Sequence, residues 1–280
     1  MSIVIVGAAG AAGRSLIAAL RSRDVEVVAV SHSDAGEQRL SGTGAAVIRA
    51  DLAQPAQLRE PFAGAQAVHV IPPSLHPRED VLVGNAVQAA VAAGVPRLVH
   101  HSVMHPHTPV LRNHIRKANA EAVVRDSGLR WTILQPSMFA QVALLMFAGG
   151  ADGEVVLPFN PESRISMLDL RDLAEAAARV LTEPGHDYAT YELAGPLTSL
   201  KEMAVDISAA TGRSLITRQV PVADGPLPPV AAANPMAAAD MISTFAHYDQ
   251  HGYLGNPRVL EMLLGRPATT FAEVAARELG

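Results

Sequence analysis

The chain has no cysteine, which excludes disulfides and thiolate nucleophiles. It has no excess of basic residues either: 22 Lys and Arg stand against 27 Asp and Glu, a net charge of −5. That balance lacks the positive footprint of a nucleic-acid binder. Long hydrophobic runs are also missing. The longest notable one, VALLMFA at 142–148, falls far short of the about 20 apolar residues that cross a bilayer. An apolar strand is expected from Ser2 onward, which leaves no place for a charged leader and its apolar segment. A soluble cytoplasmic protein with no membrane partner is expected. What the chain does have is apolar mass. Of its 280 residues, 49% are hydrophobic and 18% charged, enough for a sizeable core and too apolar for disorder.

The apolar residues are ordered along the chain. SIVIV at 2–6 is a continuous β-branched run, as in a strand covered on both faces. VEVVAV at 25–30, AAVIRA at 45–50, QAVHVI at 66–71, RLVHHS at 97–102 and WTILQP at 131–136 repeat the pattern. Helical spacing falls between them at 11–21 and at about 54–62, 78–93 and 112–127. This alternation predicts an α/β fold, a doubly wound parallel sheet over residues 1–150. Residues 151–280 are expected to form a smaller C-terminal α/β lobe, with the strand and helix near 164–181 packing back on the sheet domain. The stretch 221–236 is expected to be irregular and the tail from Met241 helical.

Three glycines, Gly7, Gly10 and Gly13, sit between the first strand and the first helix. In an open parallel sheet, ligands bind beyond the carboxyl ends of the strands. Gly7 suits the tight turn, Gly10 a close approach of backbone to a pyrophosphate, and Gly13 close helix–strand packing. The helix start then offers bare N–H groups and a positive dipole end. A dinucleotide is the expected ligand. The second strand ends without the acidic residue that selects NAD: Ser31, His32 and Ser33 come first, then Asp34. NADP is therefore the expected cofactor, with NAD as the alternative. Arg14 could add positive charge there. Asp51, after the third strand, is placed near adenine or as a helix cap.

HHSVMHP at 100–106, followed by KANAEAVVRDSGLRWTILQPSMF at 117–139, resembles the NmrA-like family of atypical short-chain dehydrogenases. The opening VIVGAAGAAGR, SMLDLRDLAEAAARVL at 166–181 and YELAGP at 191–196 fit the same family. The resemblance implies a Rossmann domain holding NAD(P), with a substrate or effector pocket between sheet and lobe. It places Gly7, Ala9, Gly10 and Gly13 at the pyrophosphate, His32 and Ser33 near the adenosine ribose, and Asp51 and Leu52 near adenine. Ile71 and Pro72 would line the cofactor, with Ser102 beside the nicotinamide and Lys117 at its ribose. Pro136, Ser137, Met138 and Phe139 would wall the pocket.

One departure from the wider pattern matters. Short-chain dehydrogenases commonly carry Tyr-x-x-x-Lys, in which the tyrosine exchanges a proton with the substrate. Four residues before Lys117 this chain has Asn113, which cannot titrate. His114 is the candidate replacement acid, with His100, His101, His105 and His107 nearby in sequence. Lys117, Ser102 and His114 are thus the catalytic candidates, and no metal site is expected. A quinone or conjugated carbonyl can accept hydride without a strong protein acid. The expected function is an NAD(P)H-dependent oxidoreductase acting on a small quinone, enone or aromatic ketone, an apolar, ring-containing molecule. The alternative is a non-catalytic NAD(P) redox sensor acting through a protein partner. A homodimer is left open.

Overall fold

A computed structural model describes residues 2–148, 153–232 and 234–280; the expected boundary at 150/151 lies outside the described residues. Strands β1 (Ser2–Val6), β2 (Glu26–Ser31), β3 (Ala46–Arg49), β4 (Ala67–Val70), β5 (Arg97–His101) and β6 (Arg130–Pro136) alternate with helices. The helices are α1 (Ala11–Arg21), α2 (Asp34–Leu40), α3 (Arg59–Phe62), α4 (Glu79–Ala92) and α5 (Arg112–Arg125). Next come β7 (Met138–Phe139), α6 (Ala140–Ala148), β8 (Glu154–Leu157), β9 (Arg164–Leu168), α7 (Leu170–Thr182) and β10 (Ala189–Leu193). The chain ends through β11 (Leu197–Ser199), α8 (Leu200–Thr211), β12 (Ile216–Gln219) and helices α9 to α12 at Pro229–Ala232, Pro235–His251, Arg258–Leu264 and Phe271–Leu279.

Seven strands form the main sheet, in the order β10-β6-β5-β4-β1-β2-β3. The five pairings from β6 across to β3 are parallel. This is the doubly wound arrangement, and its strand order reverses between β1 and β4. Ile3, Val4 and Ile5 are fully buried, as are Ala67, Val68 and Val70, which is why these strands read as unbroken apolar runs. Val4, Val6, Val70, Leu98 and Ile133 share one core cluster with Phe62, Val83, Ala86 and Val124.

One helix is unforeseen and one expectation needs correction. Residues 34–40 form α2, hidden because its sequence DAGEQRL lacks an apolar stripe; the Ser33 hydroxyl starts it by accepting from the Gly36 amide. The stretch 221–236 is less irregular than its Pro and Ala content suggests. It holds α9 and the start of α10, where the Asn234 side chain accepts from the Met236 and Ala237 amides.

The chain divides into two compact units. One comprises Met1–His107, Asn113–Gln135 and Leu173–Tyr191; the other comprises Thr108–Arg112, Pro136–Asp172 and Glu192–Gly280. The second unit carries the sheets β11-β9-β7 and β12-β8. Phe159 packs against Phe245 and Tyr248 there, and Tyr248 stacks on Tyr253. Its last helix is pinned by charge. Arg277 donates two hydrogen bonds of 2.9 Å to Asp169, whose side chain is 1% exposed. Burial acts to raise the Asp169 carboxyl, but bonds from Arg277, Gln141 and the Arg171 amide hold it below the usual value. Arg277→Met is expected to cost about 2–4 kcal/mol in urea denaturation, since it strands a buried carboxylate. A loss under about 0.5 kcal/mol, the scale of ordinary surface changes, would refute that account. Among the described residues no helix is long and apolar enough to cross a membrane.

Candidate functional site

The glycine loop lies where the sheet order reverses. Gly7 has φ +78°, and a Cβ there would stand 2.2 Å from the Ile71 carbonyl oxygen at the end of β4. A Cβ on Gly13 would stand 2.5 Å from the Ala8 oxygen. Both glycines are therefore required by the protein's own packing. Gly10 is not: its Cβ would meet only the Gly7 oxygen, at 3.4 Å. As N-cap of α1, Gly10 supplies no side-chain cap, and the first turn holds no acid. Helices α2, α8, α10 and α12 have capping side chains, whereas α4 and α11, like α1, do not. The α1 start thus keeps bare amides and open space beside them, a cradle that fits a diphosphate. Arg14 braces the loop by donating to the Ala9 oxygen at 2.6 Å.

At the adjoining edge, Ser31 ends β2 in register with Arg49 of β3. The Ser31 hydroxyl donates to the Ser33 carbonyl at 3.2 Å, and His32 is exposed. Ser33 is engaged as the α2 cap. Arg49 binds both Glu37 and Asp34, 12 and 15 residues away, a pairing that no local sequence pattern reveals. The Asp51 carboxylate accepts from the Ala53 amide at 2.8 Å in a turn ahead of the Pro55–Leu58 helical turn, whose N-cap is Gln54, so Asp51 caps no helix; buried Leu52 accepts from Asn85 through its carbonyl.

Helix α5 presents a polar row at steps of four: Asn113, Lys117, Glu121 and Arg125. Glu121 is fully buried. It accepts from the Ser102 hydroxyl at 2.6 Å, from Gln135 at 2.7 Å and from Arg125 at 3.0 Å. Since its single proton goes to Glu121, Ser102 offers lone pairs rather than a proton. Lys117 bonds Glu79, the first residue of α4, at 2.7 Å. Neither Glu121 nor Glu79 stands out in the sequence pattern. The step of four from Lys117 could have flagged Glu121; nothing local flags Glu79. The Asn113 Oδ1 atom is buried without a partner.

The histidines divide by environment. His114 is buried, and its Nδ1 donates to the His105 carbonyl at 3.0 Å. His69, His100 and His101 lie inside the sheet. Burial pushes His69 down to about 3 and holds His100 and His101 well below the ordinary value, with Lys117 adding to both. These imidazoles are neutral near pH 7 and do not serve as acids there. Ile71 and Pro72 follow β4 in the first unit, while Pro136 and Phe139 fall in the second.

Sheet order, crossover loop and uncapped helix start together define a Rossmann protein. The chain belongs to the NmrA-like family, whose pattern matches residues 1–274. It is 30% identical over 279 residues to the NAD(P)H azoreductase of Xenophilus azovorans, covering 98% of this chain and 96% of that one. It is 27% identical over 275 residues to quinone oxidoreductase 2 of Escherichia coli strain K12, covering 97% and 96%. The solved structure of the NADPH-dependent quinone oxidoreductase from Escherichia coli, complexed with NADPH, superposes with a TM-score of 0.85. That match has 27% identity and covers 99% of this chain and all of the other.

Proposed function

We propose that this chain is an NADPH-dependent oxidoreductase that reduces small quinones and related apolar, ring-containing acceptors. The observation that carries this reading is Gly10: internal packing does not require a glycine there, yet it stands bare at an uncapped helix start. The names of the azoreductase and quinone oxidoreductase relatives point the same way. The residues present fit a nicotinamide dinucleotide, which supplies hydride when bound. Gly7, Ala9, Gly10 and Gly13 would hold its diphosphate. Ser102, with its hydroxyl committed to Glu121, would accept from the carboxamide. Lys117 would donate to the ribose hydroxyls.

Arg49 supports the choice of NADPH over NADH. Its bonds to Asp34 and Glu37 use Nη2 and Nε, and an exposed pair of this kind contributes little stability. Nη1 takes part in neither bond and is the atom that would donate to a 2′-phosphate. Asn113 cannot protonate the product, but a reduced quinone takes its protons from water. The net charge of −5 disfavours nucleic acid as a partner, and we place the activity in the cytoplasm.

The test follows NADPH oxidation at about 340 nm, the nicotinamide absorbance, with a panel of benzoquinones, naphthoquinones, enones and azo dyes. Turnover on the quinones is expected, with NADH the poorer donor. NADPH binding without turnover on any acceptor would replace this reading with that of a redox sensor.

A further inference from the structure

We propose that Glu79 is a positioning residue that acts on the cofactor through Lys117. The inference rests on the dinucleotide reading above. Glu79 opens α4, where an acidic side chain is favoured by the helix dipole. A helix-start acid ordinarily stays in water, as the neighbouring Asp80 does, accepting from the Val81 amide. Glu79 instead turns inward, and its side chain is 1% exposed. A carboxylate so placed needs a strong partner, and that partner is the Lys117 ammonium at 2.7 Å.

Lys117 has a carboxylate one helical turn away on its own helix, Glu121, but does not use it. Glu121 is occupied by Ser102, Gln135 and Arg125. On the other side, the position that holds tyrosine in the wider pattern holds Asn113, whose buried Oδ1 has no partner. Neither neighbour in the α5 row fixes the lysine. The constraint comes from α4, 38 residues away. Glu79 takes one of the three ammonium protons, which sets the direction of the other two. A lysine side chain left to itself samples many rotamers; this pairing selects one and keeps the charge in place.

The experiment measures NADPH dissociation constants by fluorescence, together with kcat and KM for a benzoquinone. The proteins are wild type, Glu79→Gln, Lys117→Met, the double variant and Glu79→Asp. Glu79→Gln is expected to weaken NADPH binding about tenfold or more, the scale for breaking a buried charge pair. Lys117→Met should weaken it comparably, and the double variant should be no worse than Lys117→Met alone. Glu79→Asp should recover part of the loss. Non-additivity of this kind separates action through Lys117 from general support of the fold.

A tenfold loss from Glu79→Gln that persists in the Lys117→Met background would overturn the proposal, as would NADPH binding within about twofold of wild type, the usual scatter of near-neutral contacts. Should Glu79→Gln fail to fold, the exchanged pair Glu79→Lys with Lys117→Glu keeps opposite charges together but moves the ammonium onto α4. That protein is expected to fold and to lose NADPH binding, and wild-type affinity in it would equally overturn the proposal. If the wild type itself does not bind NADPH, the underlying function is wrong. Wild-type binding with additive variants removes only the role of Glu79.

Discussion

Gly10→Ala is expected to leave the protein folded and to weaken NADPH binding about a hundredfold, close to 3 kcal/mol. The added methyl meets only the Gly7 oxygen at 3.4 Å, an ordinary contact, and Gly10 has φ −70°, which alanine adopts freely. The folding cost should stay within about 1 kcal/mol, the usual effect at an N-cap. The binding cost is larger because the methyl fills the space through which a diphosphate reaches the amides of α1. The flanking glycines should behave in the opposite way. Gly13→Ala forces a methyl to within 2.6 Å of the Ala8 Cα, and Gly7→Ala adds a left-handed φ to its clash with Ile71. Each should cost about 3 kcal/mol or more in urea denaturation. An NADPH titration of Gly10→Ala that matches wild type would show that no diphosphate lies against this loop.

The second large effect is expected on acidification. His69, His100 and His101 are buried and neutral, with depressed proton affinity in the folded chain. The unfolded chain binds a proton at each near pH 6.5, its ordinary value. Below that pH the unfolded state takes up protons that the folded state refuses, so stability falls. It is fully present above about pH 6.5 and is lost as the pH drops from there toward the folded value of His69, about 3. Each histidine contributes a slope of up to about 1.4 kcal/mol per pH unit, and three together about 4. Against a total of about 5–15 kcal/mol for a typical domain, cooperative unfolding should set in between about pH 4 and 5. His100 is the cleanest probe, because neither ring nitrogen has a hydrogen-bond partner. His100→Leu should flatten the slope by about a third and move the acid midpoint down. Circular dichroism across pH 7 to 3 would read it, and an unchanged midpoint would contradict the burial argument.

Most of the sheet was legible because its cause is local. A run such as SIVIV needs cover on both faces wherever it occurs, and the glycines of 7–13 mark a turn whatever surrounds them. Short elements were not legible. Strand β7 has two residues and β11 three, too few to show any period, and they exist only because β9 lies beside them. Ser102 and Lys117 could be named from the family resemblance. Their partners could not, since Glu121 reads as one more charge on a helix and Glu79 as a solvated helix start.

The sequence by itself determined the alternation of strand and helix, the glycine turn after β1 and the absence of tyrosine before Lys117, because each is written in residues a few positions apart. Tertiary structure decided which of three glycines is free of internal duty, which carboxylate holds Lys117 and which histidines are kept neutral. Those outcomes depend on burial and on contacts between residues tens of positions apart, and neither quantity exists until the chain has folded.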